Sequence, residues 1–159
     1  MNRRCALSFA SFGLLFALGA AAGPTSAPAE SAAKPSIERA WARATAPGVP
    51  VAAVYFTIRN PASRADQVVT LHSPAGERAE IHETRMSGGI MQMRQIMDAT
   101  VPARGALALE PGGTHVMLIG LRNPLVPGAT VPLVLNFRHA GEVRVNAVVL
   151  APGSDPPSQ

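Results

Sequence analysis

Between Ile37 and Leu150 no apolar run goes far before proline or glycine stops it, and this punctuation limits the possible folds more than any other feature. The breaks fall at Asn60-Pro61, Ser73-Pro74-Ala75-Gly76, Ser87-Gly88-Gly89, Pro111-Gly112-Gly113, Pro127-Gly128 and Ala140-Gly141. Short apolar segments closed by turn residues every eight to twelve positions or so are the pattern of an all-β sandwich or barrel. Val54, Phe56 and Ile58 alternate with Tyr55 and Thr57, which predicts a half-buried strand. Further strands are expected over Gln67 to Leu71, Glu80 to Thr84, Ile90 to Ile96, Ala106 to Leu109, Thr114 to Leu121, Val131 to Phe137 and Val143 to Leu150. Only Ile90 to Ile96 holds residues that favour helix, namely Met, Gln and Arg. A Gly-Gly turn and Val101-Pro102 bracket it and leave little room for one, so it too reads as a strand.

The 159 residues accommodate one domain plus processing segments. Residues 1–22 read as a secretory signal: Arg3 and Arg4, an apolar stretch from Cys5 to Leu18, then Gly19-Ala20-Ala21-Ala22 for cleavage. The stretch falls short of the ~20 apolar residues of a transmembrane helix. Cleavage after Ala22 and no membrane span are expected, with a retained anchor as the alternative. Residues 23–36 form a Pro/Ala/Ser spacer, 37–150 the folded domain, and 151–159 an unstructured tail. Cleavage removes Cys5, the only cysteine, and with it any disulfide or thiolate metal site. It also removes Arg3 and Arg4, leaving 12 Lys and Arg against 10 Asp and Glu. No basic block or aromatic stripe remains to dock a nucleic acid.

The chemistry concentrates in His82, Met93, His115 and Met117. They form H-x10-M-x21-H-x-M in a chain of four His and six Met. Thioether sulfur is soft and uncharged; it is a poor ligand for Mg or Ca, contributes little to Zn sites, and suits Cu(I). Neutral imidazole completes such a set near neutral pH. Strand alternation puts His115 and Met117 on one face, with Val116 and Leu118 on the other. A hairpin turning at residues 87 and 88 would set His82 opposite Met93. A lone Met in a strand is more often core filler and a lone His more often a satisfied polar residue. Composition alone, however, gives these three spacings with a probability on the order of 10⁻⁴.

The spacing resembles that of the periplasmic PCu(A)C copper chaperones. The resemblance extends to Ala40-Trp41-Ala42-Arg43, Ala53-Val54-Tyr55, Ala79-Glu80-Ile81-His82-Glu83, Met91-Gln92-Met93-Arg94 and Pro111-Gly112-Gly113-Thr114-His115-Val116-Met117-Leu118. It implies a cupredoxin-like, Greek-key β-fold and one Cu(I) held by His82, Met93, His115 and Met117. It also implies a periplasmic monomer that delivers copper to a cytochrome oxidase copper site, directly or through a Sco-type thiol chaperone. Two positions depart from the family: Glu83 stands where a Met often follows the first His, and the tail after Leu150 has neither His nor Met.

Around this motif, Met91 reads as rim or core packing with a spare sulfur, and Met86 and Met97 as ordinary apolar residues, with ion capture from the Gly-rich loop as the alternative for Met86. His72 and His139 read as solvated turn residues, Trp41 as a core anchor, and Glu80 as an acceptor that could orient His82. Rival functions fit less well. A blue-copper site needs a Cys thiolate, Zn prefers more nitrogen, oxygen or thiolate than two His supply, and no acid, base or nucleophile cluster points to an enzyme. Copper storage or scavenging, and a metal-free β-sandwich interaction module, remain as alternatives.

Overall fold

The computed structural model describes residues 33–154 and residue 156. The expected signal segment, most of the spacer and part of the tail lie outside the described residues. Ten strands follow one another: β1 (Ser36–Arg43), β2 (Val51–Arg59), β3 (Asp66–His72), β4 (Arg78–Ser87), β5 (Ile90–Ile96), β6 (Ala99–Val101), β7 (Ala106–Leu109), β8 (Thr114–Ile119), β9 (Thr130–Phe137) and β10 (Gly141–Leu150). No helix occurs among the described residues, as the punctuation leads one to expect.

The strands join in the order β5-β4-β8-β2-β1-β10-β9-β3-β6, with β7 also paired to β2. Neighbours are antiparallel except β1 and β10, which run parallel. Alternation puts one row of each strand into a common core: Val54, Phe56 and Ile58 of β2, Val116 and Leu118 of β8, Leu133 and Leu135 of β9, Val149 of β10. The opposite face of β8 therefore stays free for other side chains.

The expected strands are all present, and two more join them. The missing one at the start, β1, has broken alternation. Its register against β2 shifts between Glu38 and Trp41, and Arg39 takes φ 52° there. A bulge of this kind puts consecutive residues out of phase, so no period of two is visible in the letters. The other, β6, is three residues long, too short to show a period. β2 is also more than half-buried, because Tyr55 and Thr57 on its second face are covered as well. Trp41 pairs with Tyr55 in register, and the Arg39 guanidinium donates to Thr57 Oγ1 at 2.9 Å.

A single carboxylate closes the far end of the fold. Asp66 Oδ1 accepts from the backbone N–H of Gln67 at 2.8 Å and of His139 at 3.0 Å, and Oδ2 accepts from that of Ala140 at 2.9 Å. This ties the start of β3 to the β9–β10 turn, where the exposed His139 lies as expected. Burial pushes the Asp66 carboxyl up, but the three N–H donors outweigh it and hold it below its usual value of 3.8. A carboxyl held low in the native state adds stability above its unfolded pKa and loses it as pH falls through the native one. Acid denaturation below about pH 4 is thus expected to depend in part on Asp66. Asp66→Asn turns an amide NH2 toward a backbone N–H and should cost about 1–3 kcal/mol at neutral pH. It should also flatten the acid limb of the stability curve, as urea melts across pH will show.

Candidate metal site

The site lies on the face of β8 turned away from Val116 and Leu118. His82 of β4 stands directly opposite His115 of β8, with ring centroids 6.3 Å apart. One row along, Met117 faces Glu80 across the same pair of strands. His115 and Met117 thus share a face, as alternation predicts.

Met93 is placed differently from the expected position. The β4–β5 turn is Gly88-Gly89, both at positive φ (59° and 79°), and Ser87 pairs with Ile90. Two central residues at positive φ make the tight turn that suits the twist of a hairpin, and glycine takes it without a Cβ penalty. The turn is one residue later than 87–88, so Met93 pairs with Thr84 and His82 with Gln95. A register error of two residues keeps the face, whereas an error of one reverses it. Met93 therefore shares the face of His82 but stands diagonal to it on the outer strand, at roughly 7–8 Å. The two His and Met117 occupy adjacent positions on β4 and β8, and Met93 completes the row from one side.

Each of the two rings has one nitrogen in a hydrogen bond to an acceptor. His82 Nε2 donates to Glu80 Oε2 at 2.9 Å, and His82 Nδ1 is buried without a hydrogen-bond partner. A buried nitrogen lone pair left unpaired costs about 1–3 kcal/mol, and a bound ion removes that cost. His115 Nδ1 donates to the Gly113 carbonyl at 3.1 Å, which makes Nε2 its lone-pair nitrogen. That carbonyl also accepts from Thr84 N–H at 3.2 Å, and Gly112 at φ 80° turns the chain to bring it there. Each imidazole thus has one ring nitrogen engaged by an acceptor, the kind of outer partner that fixes the tautomer and orientation of a histidine. Glu80 has the orienting role that its place in the sequence allows.

Among the described residues no three His, Cys, Asp or Glu side chains gather at metal-binding spacing. The two imidazoles share their face with the thioethers of Met93 and Met117 and with the Glu80 carboxylate, which His82 already engages. Glu83, the departure from the family pattern, points to the other face and takes no sulfur from the site. Arg85 and Arg94 reach it at 2.8 and 2.9 Å and together hold its carboxyl below the usual range.

Sequence reasoning missed the support behind His115. Tyr55 lies 6.2 Å from the His115 ring and Trp41 lies 4.5 Å from Tyr55, centroid to centroid. Arg43 covers the Trp41 ring at 5.4 Å. Trp41 is buried, but on the same face of the sheet as the site, so it anchors the site's wall and not the central core. The alternation of Tyr55 with Val54 was the available signal.

The family model described as "Putative lipoprotein LpqE-like" matches residues 36–149. The chain belongs to that family. A curated relative, the "Putative lipoprotein Lxx21020" of Leifsonia xyli subsp. xyli, is 32% identical over 111 residues, covering 69% of this chain and 66% of its own length. The chain therefore spans just under two thirds of that relative. Among solved structures, the copper-bound PCuAC domain from PmoF2 is 27% identical with a TM-score of 0.65, covering 77% of this chain and 97% of its own. The solution structure of Cu(I)-DR1885 from Deinococcus radiodurans is 32% identical with a TM-score of 0.58, covering 72% and 76%. The LpqE-like chain thus has the cupredoxin-like architecture of PCuAC copper-chaperone domains.

Proposed function

We propose that this LpqE-like protein is an extracytoplasmic copper carrier that binds one Cu(I) through His82, Met93, His115 and Met117. The observation that carries this reading is the paired imidazoles. His82 Nδ1 is buried with no partner, and His115 Nδ1 is tied back so that Nε2 is free. Two thioethers on the same face supply the soft remainder of the set. The copper-bound state of the PmoF2 and DR1885 relatives supports the choice of metal. The lipoprotein names of the family and of its curated relative support a place outside the cytoplasm. A periplasmic location reached through the signal at residues 1–22 fits those names. The recipient in this reading is a cytochrome oxidase copper centre or a Sco-type thiol chaperone that loads it.

Copper is cargo here, and the residues suit loading and release. Glu80 and the Gly113 carbonyl hold the rings ready, so little reordering accompanies binding. Met93 lies on an outer strand and is half exposed, which lets an incoming ligand replace it first. Titration of the reduced protein should end at one tightly bound Cu(I) per chain. X-ray absorption of that species should show nitrogen and sulfur together in the first shell. A shell of nitrogen and oxygen alone would remove Met93 and Met117 from the assignment.

A further inference from the structure

Two more thioethers stand on the site's face of the β4–β5 hairpin. Met86 pairs directly with Met91, one step from the Ser87–Ile90 pair that closes the Gly88-Gly89 turn. Pairs alternate along an antiparallel ladder, and the one beside the closing pair is not hydrogen-bonded, so its side chains stand nearest. The two Cβ atoms of such a pair are about 5 Å apart. Both methionines are 66% exposed, and neither packs in the core. Met93 follows Met91 by two residues, keeps the same face, and is 50% exposed. It lies diagonal to Met86 on one side and to His82 on the other.

The opposite face of the hairpin carries Glu83, Arg85, Gln92 and Arg94, with the two arginines on Glu83. Over the outer part of the hairpin, from Glu83 to Arg94, charged groups are thus kept to one side and sulfur to the other. Three neutral thioethers without imidazole form a soft ligand set weaker than the mixed one, and their exposure favours fast exchange. Burial then rises step by step from the hairpin tip through Met93 to the two His.

We propose that Met86 and Met91, sharing Met93 with the main site, form a second and shallower site for Cu(I), through which the ion enters and leaves. The proposal rests on the His/Met reading above. Met97 serves as an internal reference, since it is 73% exposed and lies beyond the end of β5. The test is an anaerobic Cu(I) titration of the protein carrying 13C at its methionine methyls, followed by NMR. The first equivalent should shift Met93 and Met117. Further Cu(I) should shift Met86 and Met91 and move Met93 a second time, with Met97 unchanged. Met86→Leu combined with Met91→Leu should remove the second event, and Met97→Leu should leave both events in place. If Met86 and Met91 stay still while Met93 and Met117 respond, the second site is refuted and the main one stands. Movement of Met97 in step with them refutes it equally, by showing affinity for any exposed thioether. If Met93 and Met117 never respond, the main reading falls and this one with it.

Discussion

Met93→Leu is expected to weaken Cu(I) binding by more than about 100-fold, since even residues that only orient a ligand are worth 10–100-fold. The same change should leave the metal-free fold within about 0.5 kcal/mol of the original, as surface substitutions usually do. The two effects separate because of where Met93 stands. It is half exposed on β5, outside the cluster formed by Val54, Ile58, Val116, Leu118, Leu133 and Leu135. Leucine matches methionine in volume and is well tolerated in its place, so only the sulfur is lost. Competition against a chromogenic Cu(I) chelator gives the affinity, and thermal melts followed by circular dichroism give the stability. Unchanged affinity would show that the ion sits between the two His and Met117 without the outer strand. An unfolded metal-free protein would overturn the view that the core stands without the metal.

The second large effect concerns where the copper goes. Two imidazoles and two thioethers bring no charge, so the ion keeps its full positive charge, whereas two thiolates neutralise it. A reduced, copper-free acceptor with a Cys-x-x-x-Cys pair is therefore expected to take nearly all the Cu(I) at equilibrium. The donor's geometry favours the transfer, because an acceptor thiolate can displace exposed Met93 before it meets either His. Mixing the two proteins, separating them and measuring copper on each decides the matter. Copper that stays on this chain against excess acceptor would exclude donation to thiols and make storage or scavenging the better reading.

Much of this was legible in the letters because strand geometry has a period of two. That period put His115 with Met117 and sent Val116 and Leu118 to the core. It also placed Glu80 beside His82, where the 2.9 Å hydrogen bond is found. Turn chemistry was legible in kind but not to the residue: Gly88-Gly89 is visible as a turn, yet only the backbone shows that both its central positions are glycine. That single residue decides whether His82 faces Met93 or Gln95. β1 was hidden because the bulge at Arg39 breaks its alternation. The row from His115 through Tyr55 to Trp41 was hidden for another reason. It joins β8 to the distant β2 and β1, and local pattern carries no information about which strands lie side by side.

The place of β5 at the end of the sheet has a consequence for solubility. Among the described residues it pairs with β4 alone, which leaves the backbone N–H and C=O groups of its other side without a strand partner there, beside exposed methionines. Such an edge is a template on which a second chain can add a strand. Burying it would prevent that, but would also cover the face that the proposed copper route uses. Arg94, in the middle of β5, puts a cation on this edge strand, held in place by Glu83 of β4, which also holds Arg85. Charge on an edge strand discourages strand addition between like molecules. In the proposed reading, the sulfur-bearing face of the hairpin can then stay open without the edge inviting a second copy.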